Sequence, residues 1–203
     1  MRQLPTYREF VNESRLFEAK YDKINIFDVD DTLVVTNSKI KVTDNKTGKI
    51  YELTPKEFNE YESKAHHDLD FTDFGDPNIL KAGKIIDWVF NILKATMKKG
   101  KRVGIITARG DAQLIYDFLI HHGVDVNPKY IFAINDPIQK FEGDSISKRK
   151  IEAFQRLMDM GFRDFTFFDD DKENIKLAQE LDKSNKDIKL KTRLIKQKWI
   201  PKM

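Results

Sequence analysis

Acidic side chains collect at two places in the sequence, and each collection ends an apolar run. Ile24–Asn25–Ile26–Phe27 leads into Asp28, Asp30 and Asp31, and Phe165–Thr166–Phe167–Phe168 leads into Asp169, Asp170 and Asp171. Carboxylates this close repel, and removing them from water costs free energy unless each is paired, protonated or bound to a cation. An all-oxygen donor set suits a hard divalent cation, magnesium first, which commonly joins one or two carboxylates to a substrate phosphate. A third apolar run, Val103–Gly104–Ile105–Ile106, ends instead in Thr107–Ala108–Arg109–Gly110. Thr107 brings a hydroxyl and Arg109 a forked donor matched to phosphate oxygens, while amides at a strand-to-helix turn favour an anion. Lys150, near the start of a helical stretch, adds a further positive charge. Were the three runs neighbouring strands, the acids and the phosphate-binding groups would meet at one point.

The surrounding pattern supplies such strands. Residues 24–29, 102–107, 130–134, 164–169 and 187–195 read as strands, and helical stretches closed by Gly100, Gly123 and Gly161 alternate with them. Alternation of this kind builds an α/β domain with a mostly parallel sheet covered on both faces, and ligands then bind beyond the carboxyl ends of the strands. Residues 34–78 interrupt it. KIKV and KIYEL flank an Asn/Gly turn and predict a hairpin, Thr54-Pro55 with Glu57 predicts a capped helix to about Lys64, and 65–78 reads as a loop. This segment is expected to be an insertion over the edge of the sheet, after the first strand. One long helix is expected from about Ile79 to Lys99, and a short amphipathic helix within residues 1–20, leaving 21–203 as the core domain.

Composition bounds the function classes. A chain of 203 residues with 40% hydrophobic residues supports one core. Its formal charge of +3 is too small to mark a generally basic nucleic-acid binder, although a local patch is compatible with it. Without cysteine there are no disulfides or thiolate metal sites, and a reducing cytoplasm is the default expectation. No apolar stretch approaches the ~20 residues needed to span a bilayer, and the opening MRQLPTYREFVNES lacks the apolar core of a secretory signal.

Taken in order, these motifs resemble those of the haloacid-dehalogenase-like (HAD) phosphohydrolases, over about residues 21 to 182. IFDVDDT is similar to the first motif through Asp28, Asp30 and Thr32, and GIIT to the second through Thr107. Lys150, with Lys148 as the other candidate, fits the third, and FFDDDKEN the fourth through Asp169 and Asp170, with Asn174 continuing it. The resemblance implies a Rossmann-like three-layer sandwich with a small cap, and hydrolysis of a phosphomonoester through an aspartyl-phosphate. Asp28 is then the nucleophile and Asp30 the general acid and base. Magnesium is held by Asp28 and Asp170, with the Asp30 carbonyl and Asp169 assisting, while Thr107, Arg109, Lys150 and Thr32 serve the phosphate.

TARGD and the spacing from Lys150 to Asp169 also resemble the phosphatase half of phage polynucleotide kinase–phosphatase and stand-alone phage HAD proteins. That implies a nucleotide or a nucleic-acid 3′-phosphate as substrate, with other phosphorylated small molecules open, and the cytoplasm of a bacterial host. TYREFVNES is similar to the leader of packaged phage internal proteins, trimmed after a Glu, here Glu13; this raises prohead association as an alternative. Phosphotransfer to an acceptor other than water uses the same residues.

Several residues have plainer readings. Asp31 reads as a turn residue and Asp171 as a helix cap. His121-His122 reads as a helix C-terminus. His66-His67, on the insertion, reads as surface loop, with contact to substrate as the alternative, because no Cys or further His beside it completes a tetrahedral metal site.

Overall fold

The computed structural model describes residues 23–59 and 61–196; the helix expected within 1–20 and the leader-like TYREFVNES lie outside them. In chain order the strands are β1 (Lys23–Phe27), β2 (Val34–Val35), β3 (Ile40–Asp44), β4 (Lys49–Leu53), β5 (His67–Asp70), β6 (Lys84–Ile85), β7 (Arg102–Thr107), β8 (Ile131–Ala133), β9 (Asp164–Asp169) and β10 (Lys189–Leu194). The helices are α1 (Pro55–Asn59), α2 (Pro77–Lys81), α3 (Asp87–Lys98), α4 (Ala112–His121), α5 (Ile146–Asp159) and α6 (Lys172–Ser184).

Five strands form a parallel sheet in the order β10-β9-β1-β7-β8. The chain lays β7 and β8 on one side of β1, then crosses back to lay β9 and β10 on the other. The order therefore reverses beside β1, and the crevice at its carboxyl end is the expected binding place in a Rossmann-like α/β fold.

Alternation along each strand divides the core between the two faces. Phe27 and Phe168 stack at 4.5 Å on one face, with Val103 and Ile105, under Val89, Phe90 and Leu93 of α3 and Ile115, Phe118 and Leu119 of α4. Ile24, Ile26, Ile106, Phe165 and Phe167 point the other way, against Ala153, Phe154 and Leu157 of α5 and Ile175 and Ala178 of α6. Each fully buried Phe or Ile contributes about 1.5–3 kcal/mol relative to exposure, which pins the register that the site depends on. Asp111, Ser145 and Asp171 cap α4, α5 and α6 by accepting hydrogen bonds from the amides of Leu114, Lys148 and Glu173.

The 34–78 segment departs from expectation in detail. The hairpin forms as β3 and β4, and Thr54 with Glu57 makes the capping box, but α1 ends at Asn59. The stretch read as a loop contains β5, which pairs antiparallel with β3 and makes a three-stranded sheet, followed by a 3-10 turn at Thr72–Gly75. The insertion reaches the carboxyl ends of the core strands, where the Phe74 carbonyl accepts a hydrogen bond from Arg109.

The long helix of 79–99 is a second correction: the chain is α2, then β6, then α3. The apolar spacing runs on across the break, but Gly83 allows backbone contact that a side chain would forbid. A Cβ there would lie 2.5 Å from Val34 Cγ2. That approach lets β6 pair with β2, and the Ile86 amide donates to the Leu33 carbonyl at 2.9 Å. Among the described residues no helix is long and apolar enough to cross a membrane.

Candidate active site

β1, β7 and β9 end side by side, so Asp28, Thr107 and Asp169 share one end of the sheet. The Asp28 amide still donates to the Phe168 carbonyl at 2.9 Å, which holds the first acid in line with the sheet. Beyond it the chain turns sharply. The Val29 carbonyl accepts from the Leu33 amide at 2.8 Å, and Asp31 takes a left-handed φ of 55°, which Asp tolerates better than most residues. The turn sends the three acids of FDVDDT in different directions.

Lys150 lies at the centre of the acid cluster. Its Nζ donates to Asp28 Oδ1 at 2.8 Å and to Asp169 Oδ2 at 2.7 Å, and all three side chains are buried. Burial alone pulls the Lys150 pKa down, but Asp169 and Asp28 outweigh it and hold the ammonium charged, above an ordinary lysine. Of the two candidate lysines, only Lys150 reaches the acids; Lys148 is exposed and pairs with Asp144 at 2.9 Å.

Asp169 is enclosed. Besides Lys150, its oxygens accept from Asn174 Nδ2 at 3.0 and 3.2 Å and from the Asp171 amide at 2.8 Å. Asn174 is in turn held by Ser147, whose Oγ donates to Asn174 Oδ1 at 2.8 Å. Ser147 escaped the sequence reading, although it stands one helical turn before Lys150 on the same face of α5. Asp170 is less covered and accepts from Thr32 Oγ1 at 3.4 Å, so Thr32 faces an acid. Asp171 caps α6, as expected of it.

Ligand oxygens of Asp28, Asp169 and Asp170 lie within 4.8 Å of one another. Lys150 is the one cation hydrogen-bonded to this trio among the described residues, and the imbalance is visible in the acids. Burial raises the Asp28 carboxyl well above its ordinary value; Lys150 offsets part of this, and Asp169 and Asp170 add to it. Asp170 is pushed up to about 7 by burial and by the nearby Asp169 and Asp31. A buried, all-oxygen cluster short of positive charge fits a divalent cation of the magnesium type.

Arg109 is not turned towards an open position. Its guanidinium grips Asp30 with two bonds, Nε to Oδ2 at 2.9 Å and NH2 to Oδ1 at 2.7 Å, and its NH1 donates to the Phe74 carbonyl at 2.6 Å. The Phe74 ring lies 5.4 Å from the guanidinium carbon. Arg109 thus ties the second acid of FDVDDT to the insertion, a contact with no signature in sequence spacing. Thr107 is buried, and its Oγ1 accepts from the Arg109 amide at 3.3 Å.

The histidines divide. His122 closes α4 with its ring against Phe118 and Phe90, at centroid distances of 4.7 and 5.6 Å. Its pKa is lowered by burial, then by His121 and Lys94. His66 and His67 lie in the insertion. Comparison with protein-family models and with curated proteins returns no match.

Proposed function

We propose that this chain is a HAD-like, magnesium-dependent phosphomonoesterase working through an aspartyl-phosphate on Asp28. The observation that carries the reading is the buried Lys150 bridge between Asp28 and Asp169, which orients one carboxylate at the switch point of a parallel sheet. An Asp28 oxygen attacks phosphorus as the ester P–O bond breaks, and Asp30 gives its proton to the departing oxygen. Asp30 then takes a proton from water, which attacks the aspartyl-phosphate and releases Asp28 and inorganic phosphate.

Each neighbour has a task in this scheme. Lys150 aims Asp28 and adds positive charge where the transferred group gains negative charge. Asn174 and Ser147 hold Asp169, and Asp169 holds Lys150. Arg109 keeps Asp30 in place at rest; an incoming phosphate offers the guanidinium a second forked partner, and its transfer frees Asp30 to carry a proton. Asp28 and Asp170 would hold magnesium with the Asp30 carbonyl, and Asp169 would support them from behind. When bound, the ion supplies the missing countercharge and polarises the phosphoryl oxygens. The substrate class proposed is a nucleotide or nucleic-acid 3′-phosphate, on the resemblance of TARGD and the Lys150-to-Asp169 spacing.

The test is hydrolysis of an aryl phosphate with magnesium, followed by a panel of nucleoside monophosphates, 3′-phosphorylated oligonucleotides and sugar phosphates. Wild type is expected to turn over and Asp28→Asn to be inactive. Activity retained in Asp28→Asn removes Asp28 as nucleophile, and a preference for sugar phosphates removes the substrate class.

A further inference from the structure

The chain has four histidines, and one adjacent pair, His66-His67, gains a third potential ligand on folding. β5 pairs antiparallel with β3 in a register that sets His67 opposite Asp44, the last residue of β3. One ligand atom each from Asp44, His66 and His67 lies within 4.8 Å of the others. His66 Nε2 is already 3.6 Å from Asp44 Oδ1. Tetrahedral zinc with bonds of about 2.0–2.1 Å sets its ligand atoms roughly 3.3 Å apart, so small side-chain movements close the site. All three residues are half-buried.

The backbone is arranged to hold them. The Asn45 amide donates to the His66 carbonyl at 2.9 Å, and the His67 amide to the Lys64 carbonyl at 2.9 Å. Asp44 Oδ1 accepts from the Lys46 and Thr47 amides at 2.8 and 3.2 Å, which fixes the carboxylate over the hairpin turn. The His67 ring is gripped through Nδ1 by the Tyr61 hydroxyl, itself 2.6 Å from Tyr51 Oη. Outer partners of this kind orient a metal-bound imidazole.

We infer that Asp44, His66 and His67 form a second metal site, in the insertion, for a borderline transition ion of the zinc type. The donor set separates it from the acid cluster: two imidazoles and one carboxylate suit zinc, whereas an all-oxygen site suits magnesium. Three protein ligands leave a fourth position for water, so the ion exchanges. A bound ion ties the β3–β4 turn to β5 and stiffens the insertion that contacts Arg109. The inference stands apart from the phosphatase reading and survives its failure.

The test titrates untagged full-length protein with zinc chloride in excess magnesium, following heat and the ring signals of the four histidines by NMR. Wild type and Asp170→Asn are both expected to bind one zinc, shifting the His66 and His67 rings and leaving His121 and His122 in place. His67→Ala is expected to weaken binding by more than the roughly 10–100-fold typical of losing an outer partner, and Tyr61→Phe by about tenfold. Asp44→Asn keeps an oxygen for the Lys46 and Thr47 amides while removing the charge, so its loss of zinc cannot be laid to a broken turn. Zinc binding that is absent in wild type, or unchanged in both His67→Ala and Asp44→Asn, overturns the inference.

Discussion

Asp170→Asn should make the metal-free protein more stable at neutral pH while removing its response to magnesium. In the folded chain Asp170 is pushed up to about 7, chiefly by burial and then by Asp169 and Asp31. A carboxyl whose pKa is higher folded than unfolded contributes stability that is complete below its unfolded value and drains away as pH rises through the folded one. The gap between 3.8 and about 7, at 1.36 kcal/mol per tenfold, is roughly 4 kcal/mol. Asp170 keeps some solvent contact, which screens the effect, so about 2 kcal/mol is the working expectation. Asp28, raised in the same direction, drains stability too, whereas Lys150 stays charged throughout and contributes no slope. The assay is urea denaturation from pH 5 to 8.5 with chelator and again with magnesium. Wild type should lose stability across that window with chelator and recover it with magnesium. Asp170→Asn should lose less of it, exceed wild type at the alkaline end with chelator, and gain little from magnesium. An Asp170→Asn variant no more stable than wild type at the alkaline end, or a magnesium response equal in both, refutes the reasoning.

Two further outcomes follow from burial and close contact. Lys150→Met leaves Asp28 and Asp169 buried without their cation and should cost about 3–5 kcal/mol in chemical denaturation together with the activity; Lys148→Met, on the exposed side, should cost under about 0.5 kcal/mol. Gly83→Ala places a Cβ 2.5 Å from Val34 Cγ2 and should cost about 1–3 kcal/mol, with faster hydrogen exchange at the Ile86 amide.

The core was legible because its signals are local. Apolar runs ending in acids or in Thr107, and helices closed by Gly123 and Gly161, mark the β–α alternation without tertiary information. Lys150 and Lys148 share a helix start and are told apart only by burial, which depends on which side of α5 faces the sheet. The break at Gly83 stayed hidden because Leu80, Ile85, Ile86, Val89 and Phe90 keep a helical rhythm across it, while the deciding contact is with Val34, far back in the sequence. β5 was missed for a similar reason: HDLD has little strand propensity, and its pairing with β3 supplies the stabilisation that composition does not. Asp44 could not be linked to His66 and His67 until that pairing was known.

The insertion and the acid turn become one device when Arg109 is considered with both. Asp28, Asp30 and Asp31 fall within four consecutive positions, where like charges repel. The first two nevertheless take different cations, Asp28 pairing with Lys150 and Asp30 with Arg109. The cations differ in what else they hold. Lys150 bridges Asp28 and Asp169 at the ends of two core strands, with no residue of the insertion in the pair of bonds. Arg109 shares its guanidinium with the Phe74 carbonyl, so the grip on Asp30 depends on where the insertion sits. In the proposed mechanism the attacking carboxylate is therefore tied to the core sheet, and the proton carrier, through Arg109, to the insertion.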